Sequence, residues 1–398
     1  MVPNGWGENS LADIVKEKIS YGIVQAGPHI EDGIPYIKSS DVKGIITPKT
    51  LQCTSEEIHY KYRRSAVHPG DIVFSLRGNI GESAIVPETL PEANLTQGTA
   101  RISVGHNHCN LFYYYQLQSD SLLNRINALS KGSTFKEISL EELRKVKVLS
   151  PSYTEQKKIA QILFTWDQAI SATEKLIESS QKQKKALMQQ LLMGKKRLFD
   201  ENGVSFSDTW KTYKLGQLFK ERVEIGRDDL PLLSITADEG VVYQEETGRK
   251  NTSNEDKSKY RRICVNDIGY NTMRMWQGRS SLSDKDGIVS PAYTIIIPSE
   301  KIVPRFAAYL FKLPKLVHVF YRHSQGLVSD TWNLKFSHFK EISWSFPCVE
   351  EQQKIAEVLF SADLEIETLQ KKLDYLKQEK KALMQQLLTG KKRVKVAA

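Results

Sequence analysis

EQKKIAQILFTWDQAISATEKLIESSQKQKKALMQQLLMGKKRL (Glu155 to Leu198) and EQQKIAEVLFSADLEIETLQKKLDYLKQEKKALMQQLLTGKKRV (Glu351 to Val394) align without a gap, 196 residues apart. One segment therefore occurs twice, each copy preceded by a globular stretch of similar size. Within each copy the seam positions alternate spacings of four and three: Ile159, Leu163, Trp166, Ile170, Thr173, Ile177, Ser180, Lys184, Leu187 and Leu191, then Ile355, Leu359, Ala362, Ile366, Leu369, Leu373, Leu376, Lys380, Leu383 and Leu387. That is the heptad of a coiled coil. The competing reading, a helix lying on its own globular domain, calls for a broader apolar stripe than this seam offers. Pro151 and Pro347 stand ahead of the helices, Glu155 and Glu351 bring negative charge to the first turn, and Gly194 and Gly390 are placed as C′ residues. A helix over about 155–193 would run roughly 60 Å at 1.5 Å per residue.

Connectivity selects the orientation. The second globular region begins where the first helix ends and finishes where the second starts, and domain termini usually lie close together. Antiparallel helices satisfy this; parallel ones would oblige residues 199–350 to bridge about 60 Å. The antiparallel pair is expected to hold the two globular domains at opposite ends and to bring Met1 near Ala398.

Composition bounds the class. The chain has 398 residues, 26% of them charged, and no apolar run of bilayer-spanning length, so a soluble multi-domain protein is expected, not a membrane protein. The opening MVPNGWGENSLADI lacks the basic segment and apolar core of a signal peptide. The four cysteines, Cys53, Cys109, Cys264 and Cys348, form no CxxC pair, and a cytoplasmic location is expected. The net charge of +9 is uneven: zero over 1–154, +5 over 155–198, +1 over 199–350 and +3 over 351–398. Nucleic-acid binding by the globular parts would need a local basic face on a neutral body.

The repeat also aligns the globular regions. Trp6 with Leu11 matches Trp210 with Leu215; CTSEEIHYKYRR (53–64) overlays NTSNEDKSKYRR (251–262); VHPGDIVFSLRGNIG (67–81) resembles VNDIGYNTMRMWQG (265–278). Runs such as Asp71 to Leu76 and Tyr293 to Ile297 read as strands, and Leu111 to Leu129 and Arg305 to Phe320 as helical stretches. The expected fold class is α+β, with two similar globular domains (1–150 and 199–346) separated by helical segments (151–198 and 347–398) in a pseudo-two-fold internal repeat.

Positions shared by the domains and positions that differ should do different jobs. Tyr62, Arg63, Arg64 and Asp71 recur as Tyr260, Arg261, Arg262 and Asp267, which fits either scaffold or sequence-independent phosphate contacts. Divergent loops are where base specificity would reside. In the first domain they offer Lys38, Ser39, Arg77, Asn79, Asn94, Gln97, Lys131 and Ser133; in the second, Asn271, Arg274, Trp276, Gln277, Tyr293, Arg322 and Gln325. Arg, Asn and Gln make bidentate bonds to guanine or adenine edges, although any single one is more often a turn or surface residue. Catalytic signatures are missing: no GxxxxGK[ST] loop, no NPPF- or DPPY-like tetrapeptide, no nucleophile elbow and no HExxH. His106, His108 and Cys109 lack a fourth ligand at useful spacing, so no metal site is expected there.

In these features the chain resembles the specificity subunit of type I restriction-modification systems. The resemblance rests on the Trp-then-Leu domain start, the GDIVFSLRGNIG segment, the proline followed by EQxKIA and the KKALMQQLLxGKKR ending, and it covers essentially the whole chain. It implies two target-recognition domains, each reading one half of a split site in double-stranded DNA. It also implies helical spacers in an antiparallel coiled coil that dock two methyltransferase (modification) subunits, with restriction/translocase subunits as further partners. S-adenosylmethionine, ATP and magnesium would belong to those partners, with no cofactor or metal and no catalytic residue on this chain.

The helices are similar at their starts, nearly identical at their finishes and divergent between, so antiparallel pairing would create two equivalent patches. Met188, Gln189, Gln190 and Leu192, recurring as Met384, Gln385, Gln386 and Leu388, lie off the seam and are the candidate partner contacts; recent duplication is the alternative account of their identity. Two other functional classes stay open: a coiled-coil adaptor without DNA specificity, and a self-contained endonuclease.

Overall fold

The heptad positions are helical throughout. In a computed structural model, which describes residues 2–132, 136–236, 240–248, 253, 255–326 and 332–395, two helices of 39 residues run Tyr153–Leu191 and Val349–Leu387. All twenty seam positions are buried or half-buried. Past each end comes the left-handed glycine, Gly194 at φ 64° and Gly390 at φ 68°. Gly194 N–H donates to Leu191 O and Lys195 N–H to Gln190 O, at 3.1 and 2.9 Å, closing the last turn as a Schellman motif.

The chain forms two compact units. The first holds the residues up to Glu174 together with those from Lys371 onward; the second is Lys175–Gln370. Each unit thus owns the opening of one long helix and the close of the other, and in each these segments run antiparallel. In the first unit Asp167 pairs with Lys380 at 2.5 Å and Glu174 with Lys377 at 2.9 Å. In the second, Asp363 pairs with Lys184, and Glu365 accepts from Ser180 at 3.3 Å. The division falls inside both helices rather than at their ends, because the cores draw on both. The first core joins Leu11, Phe74, Phe112 and Ile126 to Ile159 and Leu163 from one helix and Leu387 and Leu388 from the other. The second joins Leu215, Tyr270, Phe306 and Phe339 to Ile355 and Leu359 and to Leu191 and Leu192.

Each globular domain is α+β. In the first, Ile72–Ser75 is the centre of an antiparallel sheet between Ser83–Ile85 and Thr99–Ile102. A second sheet places Ile34–Ile37 antiparallel to Gln52–Thr54 and parallel to Asn94–Leu95. In the second domain Ile268–Asn271 holds the equivalent central place, between Ser280–Leu282 and Tyr293–Pro298, with Phe219–Glu221 at the edge. The strand after each opening tryptophan pairs with the last strand before the long helix: Gly7–Ser10 with Lys147–Ser150, and Lys211–Lys214 with Ser343–Phe346. Each expected helical stretch is two helices. Asn110–Leu117 and Asp120–Leu129 are divided at Ser119, whose Oγ caps Leu122 N–H, and Pro304–Leu310 and Pro314–His323 are divided ahead of Pro314, which suits a helix start.

The repeated motif letters have a packing reason. Arg393 makes a two-point ion pair with Glu155 (2.7 Å each), and the Trp6 indole N–H donates to the same carboxylate at 3.2 Å. Arg197, Glu351 and Trp210 repeat this clamp at 2.6, 2.7 and 3.2 Å. The neighbouring glutamines are buried backbone partners. Gln156 Oε1 accepts from Cys109 N–H and its amide donates to Pro151 O; Gln352 does the same with Val303 and Pro347. Tyr115 donates to Asp167 and Tyr309 to Asp363, both at 2.6 Å. Burial, and then the adjacent carboxylate, raise both phenols' pKa, so they remain donors. The domain start, the EQ pair and the GKKR ending are therefore parts of one joint, made once in each unit.

Candidate nucleic-acid interface

In the first domain the central strand runs into the loop Leu76 to Glu82, and backbone bonds hold this loop to two others. Leu76 C=O accepts from Ile138 N–H at 3.1 Å, and Leu76 N–H donates to Gly98 O at 2.8 Å. Lys131 and Glu137 exchange N–H···O bonds at 2.9 Å, and Glu137 also bridges to Arg77. Ser39 packs on Gly98, where a β-carbon would stand 3.5 Å from its Oγ. A chain of contacts thus gathers Ser39, the Gln97 segment, Arg77, Asn79 and Lys131, with Arg77, Asn79 and Lys131 exposed. Lys38 lies beside Ser39 with its Nζ 3.3 Å from Gln52 Oε1. Glu137 holds Arg77 through Nε at 2.7 Å. The guanidinium retains terminal donors beyond that contact, and a planar fork of donors suits a two-acceptor edge such as guanine O6/N7.

The second domain repeats the scaffold in register. Thr272 C=O accepts from Leu334 N–H at 2.8 Å, as Leu76 does from Ile138, and Gln325 pairs with Asn333 as Lys131 does with Glu137. The loop is one residue longer and carries the 3-10 turn Met275–Gln277. Met275 is fully buried, Trp276 stands edge-on to Trp332 at 5.4 Å, and Tyr321 meets Trp332 at 4.9 Å. Arg274, Gln277, Arg322 and Gln325 are exposed around this aromatic cluster. Asn271 faces Tyr293 across the sheet, and both line an open pocket of about 400 Å³ with Ser234, Gln244 and Tyr260. The Tyr293 hydroxyl is engaged, donating to Ile235 O at 3.2 Å.

Several expected contacts are corrected. Asn94 is fully buried: Ser65 Oγ donates to its carbonyl at 2.8 Å, and its amide reaches the backbone oxygens of His59 and Tyr62. It braces the domain and has no free edge for a base. Leu192 and Leu388 are buried in the two cores, and Met188 and Met384 pack against those cores, so the core accounts for their recurrence and the two leucines present no partner surface. Gln189, Gln190, Gln385 and Gln386 are exposed. Ser133 lies outside the described residues.

The shared Tyr-Arg-Arg tripeptide folds in two ways. Arg63 and Arg64 sit in a 3-10 turn, exposed and lying over the rings of Tyr60 and Tyr62. Arg261 and Arg262 sit in a strand, Arg261 paired with Glu221 at 2.7 Å and Arg262 with both Asp286 and Glu224. Asp286, then Glu224, raise the Arg262 pKa further, and the guanidinium in turn lowers both carboxyls, so this charge is neutralised within the domain. Asp71 and Asp267 are both buried and each accepts the backbone N–H three residues earlier, at 3.0 and 2.8 Å, which is a framework role. Sequence reasoning did not single out Met273, Arg279 and Trp332 within the divergent loops 271–280 and 322–332, nor Tyr321 just outside them. Their apolar, aromatic or basic character was visible, but nothing local linked position 321 to position 276. Among the described residues no group of three His, Cys, Asp or Glu is arranged to hold a metal ion, and His108 instead contacts the Tyr113 hydroxyl at 3.0 Å. No helix there is long and apolar enough to cross a membrane.

Comparison with known proteins agrees with this architecture. The family model for the type I restriction modification DNA specificity domain matches residues 3–179 and again 207–378. The EcoBI specificity subunit of Escherichia coli is 32% identical over 163 residues, 40% of this chain and about a third (34%) of that protein's length. The MjaVIII specificity subunit of Methanocaldococcus jannaschii is 25% identical over 99% of this chain and 94% of its own. The crystal structure of the type I system S subunit from M. genitalium shares the fold, with TM-score 0.58 and 16% identity over 98% of both chains. The HsdS subunit from Thermoanaerobacter tengcongensis has TM-score 0.52 at 14% identity. These similarities support DNA recognition and give no support to the adaptor or endonuclease readings. Matched twice by one family model, once in each repeat, the chain belongs to the type I restriction modification DNA specificity family.

Proposed function

We propose that each globular domain reads one half of a bipartite site in double-stranded DNA, and that the long helices set the distance between the halves. The observation that carries this is the pair of register-matched loop sets: the same backbone bonds hold both, Leu76 to Ile138 and Thr272 to Leu334, while the side chains on them differ. One scaffold presenting two chemistries is what a two-part recognition sequence requires. In the first domain Arg77, Asn79, Lys131, Ser39 and Gln97 are the readers, with Arg63 and Arg64 on phosphates; in the second, Arg274, Gln277, Arg322 and Gln325.

The chain acts in the cytoplasm without catalysis of its own. Two methyltransferase subunits dock on it, with the exposed Gln189, Gln190, Gln385 and Gln386 among the contacts, and restriction/translocase subunits complete the assembly. S-adenosylmethionine, ATP and magnesium act on those partners. The test is to co-express the chain with its methyltransferase and map modified bases across a genome. A split motif with an unread spacer is expected; methylation at a continuous motif, or without sequence preference, overturns the reading. Inserting four residues after Ser179 and after Tyr375 lengthens each helix by about 6 Å. The spacer should then grow by one or two base pairs at about 3.4 Å per step, and an unchanged spacer in an active complex would remove the ruler role.

A further inference from the structure

We propose that Met273 contacts the 5-methyl group of a thymine in the half-site read by the second domain. The inference rests on the reading that the loops after the central strands face DNA. Because Thr272 and Leu334 make the same backbone bond as Leu76 and Ile138, Met273 occupies the place that Arg77 holds in the first domain. The chemistry of that place is therefore inverted, from a guanidinium steered by Glu137 to an apolar thioether.

Met273 is 49% exposed, yet its backbone is held on both sides: its N–H donates to Asn271 Oδ1 at 3.0 Å, and its carbonyl accepts from the Trp276 indole at 2.9 Å. An exposed apolar side chain on a pinned backbone meets whatever docks there without first having to order its loop. Its surroundings select the partner. Arg274 follows it directly, and Arg279 closes the same loop; both are exposed, and neither has an acidic partner among the described residues. Two open cations on the same loop as one exposed apolar side chain fit a polyanion that carries an apolar group near its phosphates. In duplex DNA that group is the thymine methyl, the apolar feature of the major-groove edge. Methionine, unbranched and polarizable, adapts to such a small target.

The test uses the complex of this chain with its modification subunits and a duplex carrying the mapped site. Each thymine of the second half-site is replaced in turn by deoxyuridine, which lacks only the methyl, and binding is measured by fluorescence anisotropy. One replacement should weaken binding roughly three- to fivefold, the worth of about one buried methyl. Met273→Ala should lower affinity on the thymine duplex to a similar degree and erase the thymine-uracil difference, and Met273→Leu should retain it. If no replacement matters, or if the difference survives in Met273→Ala, the methyl contact is wrong. Arg274→Ala and Arg279→Ala separate the two readings. Affinity lost in these variants with the methyl result negative sinks only the Met273 contact, whereas affinity unchanged in all of them takes the loop off the DNA and overturns both.

Discussion

The two recognition domains carry the same Tyr-Arg-Arg tripeptide and use it in opposite ways. In the first, Arg63 and Arg64 lie open on a turn over tyrosine rings; in the second, Arg261 and Arg262 belong to a strand and are held by Glu221, Glu224 and Asp286. The joints behave differently: Asp167 with Tyr115 and Lys380, and Asp363 with Tyr309 and Lys184, keep one geometry in both units. Identity between duplicated segments thus reports a shared role where a residue packs in the joint. On the domain surface it does not, because a neighbouring carboxylate is enough to turn an open arginine into a structural one.

The largest effect should come from exchanging residues 1–150 for the matching domain of another specificity subunit. One half of the methylated motif should change completely and the other stay as it was; alteration of both halves would break the picture of two independent readers. Next, Leu192→Ala and Leu388→Ala should each cost about 2–5 kcal/mol, the usual penalty for emptying a buried leucine site. Urea titration would show it, and a loss of methyltransferase binding with stability intact would restore the partner role that burial argues against.

The paired clamps offer a graded comparison. Arg197→Met leaves the fully buried Glu351 carboxylate without its cation and should cost on the order of 3 kcal/mol. Arg393→Met should cost clearly less, because the Arg393 side chain is 47% exposed and water can substitute for part of it. Equal losses in thermal unfolding would mean that exposure does not distinguish the clamps. Smaller still, Arg63→Ala and Arg64→Ala should each reduce the salt slope of DNA binding by about one and weaken all sequences alike. Arg261→Ala and Arg262→Ala should instead lower the melting temperature and leave that slope nearly unchanged.

Close to no effect is expected from circular permutation. Arg393 Nη1 donates to Asn4 O at 2.6 Å, and a β-carbon on Gly390 would fall 2.4 Å from Pro3, so the two ends of the described chain meet in the first unit. A short linker across them, with new termini in the exposed Glu201 to Gly203 turn, should give a folded protein that directs methylation to the same motif. Folding recovered only with very long linkers would contradict the antiparallel pairing.

Much of the frame was legible because periodicity is a local property. The four-three spacing, the flanking prolines and the C′ glycines specify a helix wherever the chain goes, and the internal repeat supplied a second copy against which to check each reading. The strands at Ile72–Ser75 and Tyr293–Pro298 were legible for the same reason, as short alternating runs between turn residues. The candidate site was legible only in outline. Asn94 and Gln97 are polar residues three positions apart, and nothing near them in sequence tells that the first is buried against Ser65, His59 and Tyr62 while the second stays half-exposed.

What the sequence by itself determined is the order of helix and globular domain, the antiparallel sense of the helices and the family, each following from spacing and repetition along the chain. What only the tertiary structure decided is which side chains are free to act. It assigned Leu192 and Leu388 to the cores, Arg262 to an ion-pair network and Met273 to the place of Arg77. The physical reason is that burial and charge neutralisation depend on residues far away in sequence, as Glu155 depends on Arg393 and Trp6, and no local pattern records those meetings.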